Sequence, residues 1–172
     1  MALINKVLPG YVATLWCQTG ANPTALTDAE LSTWADVEAI IGTSAGGTGL
    51  GGEQVPVEAI PAFGSDDASA AYSAAGLRTG YKITTQNQVT SLTITSAWNP
   101  ADTAQNLIRD DGDSGSIIRT YVIAVYDGTD TVAYAFNGRV GGMQWDMSPS
   151  AEGKFTFTIH PVGGNSYGWS NS

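Results

Sequence analysis

A few residues in this sequence have the types and spacing for chemistry. Gly112-Asp113-Ser114-Gly115 is a string found around the nucleophilic serine of one class of hydrolases. A serine hydroxyl needs a base to take its proton and an acid to orient that base. The sole histidine, His160, follows the serine instead of preceding it, and it alternates outward in a strand-like stretch. The string is therefore expected to be a glycine-closed helix end and a loop. Gly42-Thr43-Ser44-Ala45-Gly46 has the letters of a nucleophile elbow, which must run directly into a helix. Gly47-Thr48-Gly49-Leu50-Gly51-Gly52 follows it and cannot make that helix. Gly47, Gly49 and Gly52 also spell a dinucleotide fingerprint, which carries weight only between a strand and a helix. Glu53-Gln54-Val55-Pro56 opens no useful helix. Asp110-Asp111-Gly112-Asp113 looks like a fragment of a calcium loop, but the twelfth position counted from Asp110 is Tyr121 and not the glutamate such a loop requires. Solvated acids, or partners for a neighbouring subunit's arginine, are the expected role. One cysteine, Cys17, excludes an internal disulfide and a thiolate zinc site. No enzyme activity, cofactor or metal is expected.

The wider composition agrees. The chain has 172 residues, 42% hydrophobic and only 13% charged, with 16 acids against 7 bases and a net charge of −9. A nucleic-acid grip needs clustered Lys and Arg, and so does a polybasic membrane contact. No window reaches the ~18 apolar residues of a membrane span. The start, Met1–Lys6, is not followed by a signal-peptide run, so folding in a cytoplasm is expected. The five tryptophans, Trp16, Trp34, Trp98, Trp145 and Trp169, are scattered in sequence. Core and interface packing is their expected use, with an exposed sugar platform as the alternative.

The elements that must hold these residues are mostly strands. Thr131–Val140 alternates Val132, Tyr134, Phe136 and Val140 against Thr131, Ala133, Ala135, Asn137 and Arg139. Lys154–His160 opposes Phe155, Phe157 and Ile159 to Lys154, Thr156, Thr158 and His160, and Thr90–Trp98 sets Leu92 and Ile94 against Ser91, Thr93 and Thr95. Period two with β-branched and aromatic residues predicts half-buried strands. Ile117–Tyr126 is apolar on both faces apart from Arg119 and Thr120, which predicts a central strand. Val12–Cys17 is a further strand, and Ala35, Val37, Ala39 and Ile41 alternate with Asp36 and Glu38 as a strand would. Thr27-Asp28-Ala29-Glu30 fits a capping box. Pro56 and Pro61 limit Val55–Ile60 to an edge strand or an extended arm. One helix is expected from the Asn99 cap and Pro100 to Gly112, with Ala101, Ala104, Leu107 and Ile108 as its stripe. The fold class is mainly β: an antiparallel sandwich or partial barrel with one flanking helix.

The order of elements resembles a known family. An early strand ends in Thr14-Leu15-Trp16, and a Trp34-x-x-Val37 segment follows. After a long loop come Leu92–Pro100, the helix, Tyr121–Tyr126, Phe136-Asn137-Gly138-Arg139-Val140 and a Thr-rich last strand, Phe155–Val162. From about Tyr11 to Gly164 the chain is similar to the major tail tube protein of long-tailed, non-contractile bacteriophages of the lambda type. Each motif is degenerate; their order carries the resemblance. It implies homohexameric rings whose sheets join into a barrel. Those rings stack around a tape-measure protein, meet tail-tip and tail-terminator proteins, and let DNA pass without sticking and without membrane insertion. It places the protein in the virion tail, assembled in the host cytoplasm. A contractile tail or secretion tube shares the sandwich and stays open as an alternative. A monomeric glycan- or protein-binding decoration module is the rival class.

The expected organisation is one tail-tube domain over residues 1–172. It has a flexible arm at 1–10, a long loop at 62–80 and a tail at 163–172. Asp36 and Glu38 are the candidate lumen-facing acids, because a strand presents alternate residues to one side. Phe63, Tyr72, Tyr81, Asp110, Asp111, Asp113, Tyr167 and Trp169 are the candidate contacts between subunits.

Overall fold

The computed structural model describes residues 12–42, 51–72, 81–126, 131–149, 152–162 and 168–171. In chain order these form β1 (Val12–Gln18), a 3-10 turn (Glu30–Ser32), α1 (Trp34–Ile41), β2 (Gly52–Val55), β3 (Ser65–Tyr72), β4 (Tyr81–Val89) and β5 (Leu92–Ala97). There follow α2 (Thr103–Ser114), β6 (Arg119–Tyr126), β7 (Thr131–Asp146), β8 (Lys154–Pro161) and β9 (Gly168–Asn171). Every strand pair is antiparallel. The main sheet runs β2-β1-β6-β7-β8-β5, with β9 also on β7, while β3 and β4 form a hairpin of their own. β7 serves two neighbourhoods. Its first half lies between β6 and β9, and from Gly138 onward it pairs with β8 on both sides of an irregularity between Gly141 and Gln144.

β6 is the central strand that its sequence predicts. Tyr121 and Ile123 face a cluster with Leu15, Val55, Leu92, Ile94, Phe136, Phe155 and Phe157, closed by Ala104 and Ile108 of α2. Val122 faces the other side, where Leu26, Leu31, Val37 and Ile40 cover Ala133 and Ala135. The first cluster joins residues from both ends of the sheet, so the sheet curls around its own core as a partial barrel. Each fully buried Phe, Leu or Ile contributes about 1.5–3 kcal/mol. Of the expected core, Leu92, Ile94, Val122, Tyr134, Phe136, Phe155, Phe157 and Ile159 are buried, and Leu107 packs at the margin.

Several expectations need correction. The fold class stands as mainly β, in the form of one open antiparallel sheet plus a hairpin, but with two helices instead of one. Trp34–Ile41 is helix α1, not a strand. Val37 and Ile40 are its buried residues, with Trp34 and Ile41 packed beside them, which is helical spacing. The second helix starts later than expected: Asp102 is the cap and accepts from the Gln105 amide at 2.8 Å, while Asn99 caps the turn before it. It also ends later, at Gly115 with φ 65°. Gly112 therefore lies inside it, and its missing Cβ makes room for Met143, whose Sδ a Cβ there would approach to 2.4 Å. The expected loop 62–80 contains strand β3, and the expected tail 163–172 contains strand β9. Residues of low strand propensity are extended in both because a neighbouring strand supplies the hydrogen bonds. Only half of the capping box forms: the Thr27 amide and hydroxyl both donate to Glu30 Oε2 at 2.8 Å, but no side chain caps the 3-10 turn, which starts from Ala29. β2 stops at Val55, before Pro56. The arm at 1–10 lies outside the described residues.

Candidate assembly surface

The residues that suggested catalysis do not meet. Ser114 is exposed at the end of α2, and its hydroxyl lies 2.9 Å from Ser116 Oγ. His160 Nδ1 is instead 2.9 Å from Ser91 Oγ on the neighbouring strand. Cys17 is fully buried, and burial pushes its thiol up to about 12, so it is no nucleophile at neutral pH. The G-x-S-x-G string lies mostly outside the described residues. Among the described residues no group of three His, Cys, Asp or Glu could hold a metal.

What the fold presents instead is sheet edge. Among the described residues neither β2 nor β5 has a second strand neighbour. An unpaired edge is a row of donors and acceptors ready for another chain. Beside β5 runs the proline-bounded segment 56–62. The Glu58 amide donates to Thr95 O at 3.0 Å, and the Glu58 carboxylate accepts from Lys154 Nζ at 2.8 Å, with both side chains 44% exposed. A cleft of about 260 Å³, lined by Glu58, Ala59, Pro61, Thr93 and Thr95, separates segment from strand.

The outward face of β5 and β8 is polar. Thr93 and Thr158 hydroxyls lie 3.0 Å apart and those of Thr95 and Thr156 3.1 Å, continuing the Ser91–His160 row. On the opposite face, at the margin of the core, Trp145 is exposed, stacked on Phe155 with ring centres 5.1 Å apart and edge-on to Trp98 at 6.2 Å, and Met147 is exposed just beyond β7.

A buried ion pair was not foreseen. Arg119 Nε donates to Asp111 Oδ2 at 2.5 Å and its Nη2 to Oδ1 at 2.7 Å. Its Nη1 donates to Gln18 O and, at 2.9 Å, to Gly20 O. One side chain thereby ties the end of α2 to the end of β1. The signal in the sequence was a lone arginine in an otherwise apolar central strand.

The predicted contact residues separate into groups. Asp111 is buried on Arg119 of its own chain, so it is not available to a neighbour as expected. Phe63 is half-buried, with its ring 4.8 Å from that of Tyr134, and so packs within the chain as well. Asp110 and Asp113 are exposed on α2, although Asp110 accepts from Arg109 at 2.8 Å. Tyr72 and Tyr81 are register partners near the closed end of the hairpin, and Trp169 is opposite Tyr134 in the β7–β9 ladder. Tyr167 lies outside the described residues. Asp36 and Glu38 stand on α1, where two residues at 100° each set them about 200° apart. The shared strand face that was to make them a stripe does not exist.

No protein-family model matches this chain, and no curated protein matches it in sequence. Solved structures share its fold. The sheath/tube terminator of the extracellular contractile injection system PVC, in the extended state, matches at TM-score 0.61 and 10% identity, covering 99% of each chain. A chain of the six-fold symmetrised baseplate of the anti-feeding prophage matches at 0.59 and 7% identity, covering 100% of this chain and 97% of its own. The SPP1 tail tube matches at 0.56 and 10% identity, covering 93% of this chain and 77% of its own. The chain therefore has the fold of tail tube, terminator and baseplate proteins.

Proposed function

We propose that the chain is a structural, non-enzymatic subunit of a phage tail tube, of the long-tailed, non-contractile kind. Six copies close a ring by joining sheets edge to edge, which removes the two open edges. Rings stack around a tape-measure protein, end on tail-tip and terminator proteins, and later conduct DNA. The subunit folds in the host cytoplasm and finishes in the virion tail. Within this reading the hairpin bearing Tyr72 and Tyr81, and the exposed Asp110 and Asp113, meet neighbouring subunits. The observation that carries it is a match over nearly the whole chain to tube and terminator folds, in a sheet whose two edge strands have no second strand partner among the described residues. Negative-stain microscopy of the purified protein tests it: six-fold rings or hollow tubes are expected, and compact single particles at high concentration would refute it. The end-to-end match with a terminator favours a second reading, a subunit that caps a tube. Isolated rings that never stack would select that one.

A further inference from the structure

We infer that segment 56–62 is a releasable strap that shields the β5 edge of the free subunit and yields it to a strand of a second copy on assembly. This rests on the tube reading above and adds how that assembly is regulated. The register of β5 fixes which backbone groups face outward. The Trp98 amide bonds Gly153 O, and the pairs Leu92–Ile159 through Ala97–Lys154 follow in step. Alternate residues of an antiparallel strand turn their N–H and C=O to one side. Trp98, Ser96, Ile94 and Leu92 therefore bond β8, while Ala97, Thr95 and Thr93 face the free edge. Gln105 Nε2 takes Ala97 O at 2.7 Å, and Glu58 takes Thr95 O. Among the described residues no further backbone bond reaches this edge.

Between strong anchors the strap holds β5 by fewer backbone bonds than a ladder strand would. On one side Val55 is buried and paired with Leu15. On the other Phe63 packs on Tyr134, and Gly64 O accepts from the Thr90 amide at 3.1 Å. Between them Pro56 and Pro61 cannot donate, so the segment cannot become a full ladder strand. Its hold on the sheet is one backbone bond, one exposed ion pair and the partial burial of Val57 and Ile60 against the core cluster. Exposed ion pairs contribute little and are screened by salt. Such a segment opens locally far more readily than the core. It blocks pairing with a stray strand, yet a second copy offering a continuous row of backbone groups outcompetes it.

The test reverses the strap charge. In Glu58→Lys two ammonium groups face each other and the strap lifts. The critical concentration for assembly is expected to fall about two- to fivefold. The double swap Glu58→Lys with Lys154→Glu restores the attraction and returns the value to that of the native chain. Hydrogen exchange gives a second readout on the native chain: the Thr93 and Thr95 amides exchange fast in the free subunit and become protected in the assembly. An unchanged or raised critical concentration in Glu58→Lys, or Thr93 and Thr95 amides still unprotected in assembled tubes, would overturn the strap while leaving the tube. A native chain that forms neither rings nor tubes would overturn both.

Discussion

Asp111→Ala exposes the energetics of the buried ion pair most directly. Among the described residues the substitution removes the one carboxylate that bonds Arg119, which has 0% of its surface exposed. The guanidinium keeps the carbonyls of Gln18 and Gly20, but nothing balances its charge. Breaking one partner of a buried pair costs about 3–5 kcal/mol, a large part of the ~5–15 kcal/mol that holds a domain together. For a chain of this size that is a fall in melting temperature on the order of 10 °C or more. Replacing both charges, as Asp111→Ala with Arg119→Met, removes the unpaired charge. It leaves Gln18 O short of a donor, a penalty of about 1–3 kcal/mol. The double variant should therefore be more stable than Asp111→Ala alone. Urea unfolding followed by circular dichroism measures both, and the double-mutant cycle isolates the coupling. A loss under about 1 kcal/mol for Asp111→Ala would refute the reasoning. So would a double variant no better than the single.

Three further outcomes follow from packing and burial. Phe157→Ala should cost about 3–5 kcal/mol by chemical denaturation, since the ring is fully buried among Ile94, Phe155 and their neighbours. Gly52→Ala should destabilise far more than Gly112→Ala in the same assay. Its Cβ would lie 1.9 Å from the Ile40 carbonyl oxygen, fixed backbone, whereas at Gly112 the clash is with a flexible thioether and alanine favours the helix by about 1 kcal/mol. Cys17 should resist alkylation at pH 8 until the chain unfolds. Because burial raises its folded value to about 12 from 9.0, the folded state holds the thiol proton more tightly. Its contribution is complete below pH 9 and is lost as pH climbs from about 9 to about 12, which alkaline unfolding curves of Cys17→Ala against the native chain would show.

The sheet was legible because its strands are long and their alternation is chemically sharp. In Phe155, Phe157 and Ile159 every inward position is large and apolar, and every outward one is polar. The match of β5 to β8 then follows from length and register. α1 was illegible for the opposite reason: within eight residues the set Ala35, Val37, Ala39, Ile41 satisfies a period of two and the set Trp34, Val37, Ile40, Ile41 a period of 3.6. Only the packing surface decides between them, and its sheet members Val122, Ala133 and Ala135 are distant in sequence. β3 and β9 are too small, polar or short to announce themselves, and exist through pairing with β4 and β7. At the assembly surface the open edges were foreseeable from strand count alone. The Asp111–Arg119 pair was not, because it requires the helix to run past Gly112 and turn Asp111 inward.

The helical placement of Asp36 and Glu38 is measurable without any assembly. On a strand Asp36 and Glu38 would share a face and tolerate the same change equally. On α1 they differ in two ways. Asp36 is half-buried in the first turn, where the unpaired amides of the helix start carry about half a positive charge, whereas Glu38 is exposed and past that turn. Removing an acid from the first turn costs about 0.3–1 kcal/mol, and placing a cation there adds repulsion of the same sign. Asp36→Lys should therefore destabilise the subunit by about 1 kcal/mol or somewhat more. Glu38→Lys should leave stability within about 0.5 kcal/mol of the native chain, as surface changes usually do. Thermal unfolding of the two single variants at low ionic strength compares them, and added salt should shrink the difference because the field of a helix end is screened. Equal losses, unmoved by salt, would contradict the helical placement and return both acids to one face.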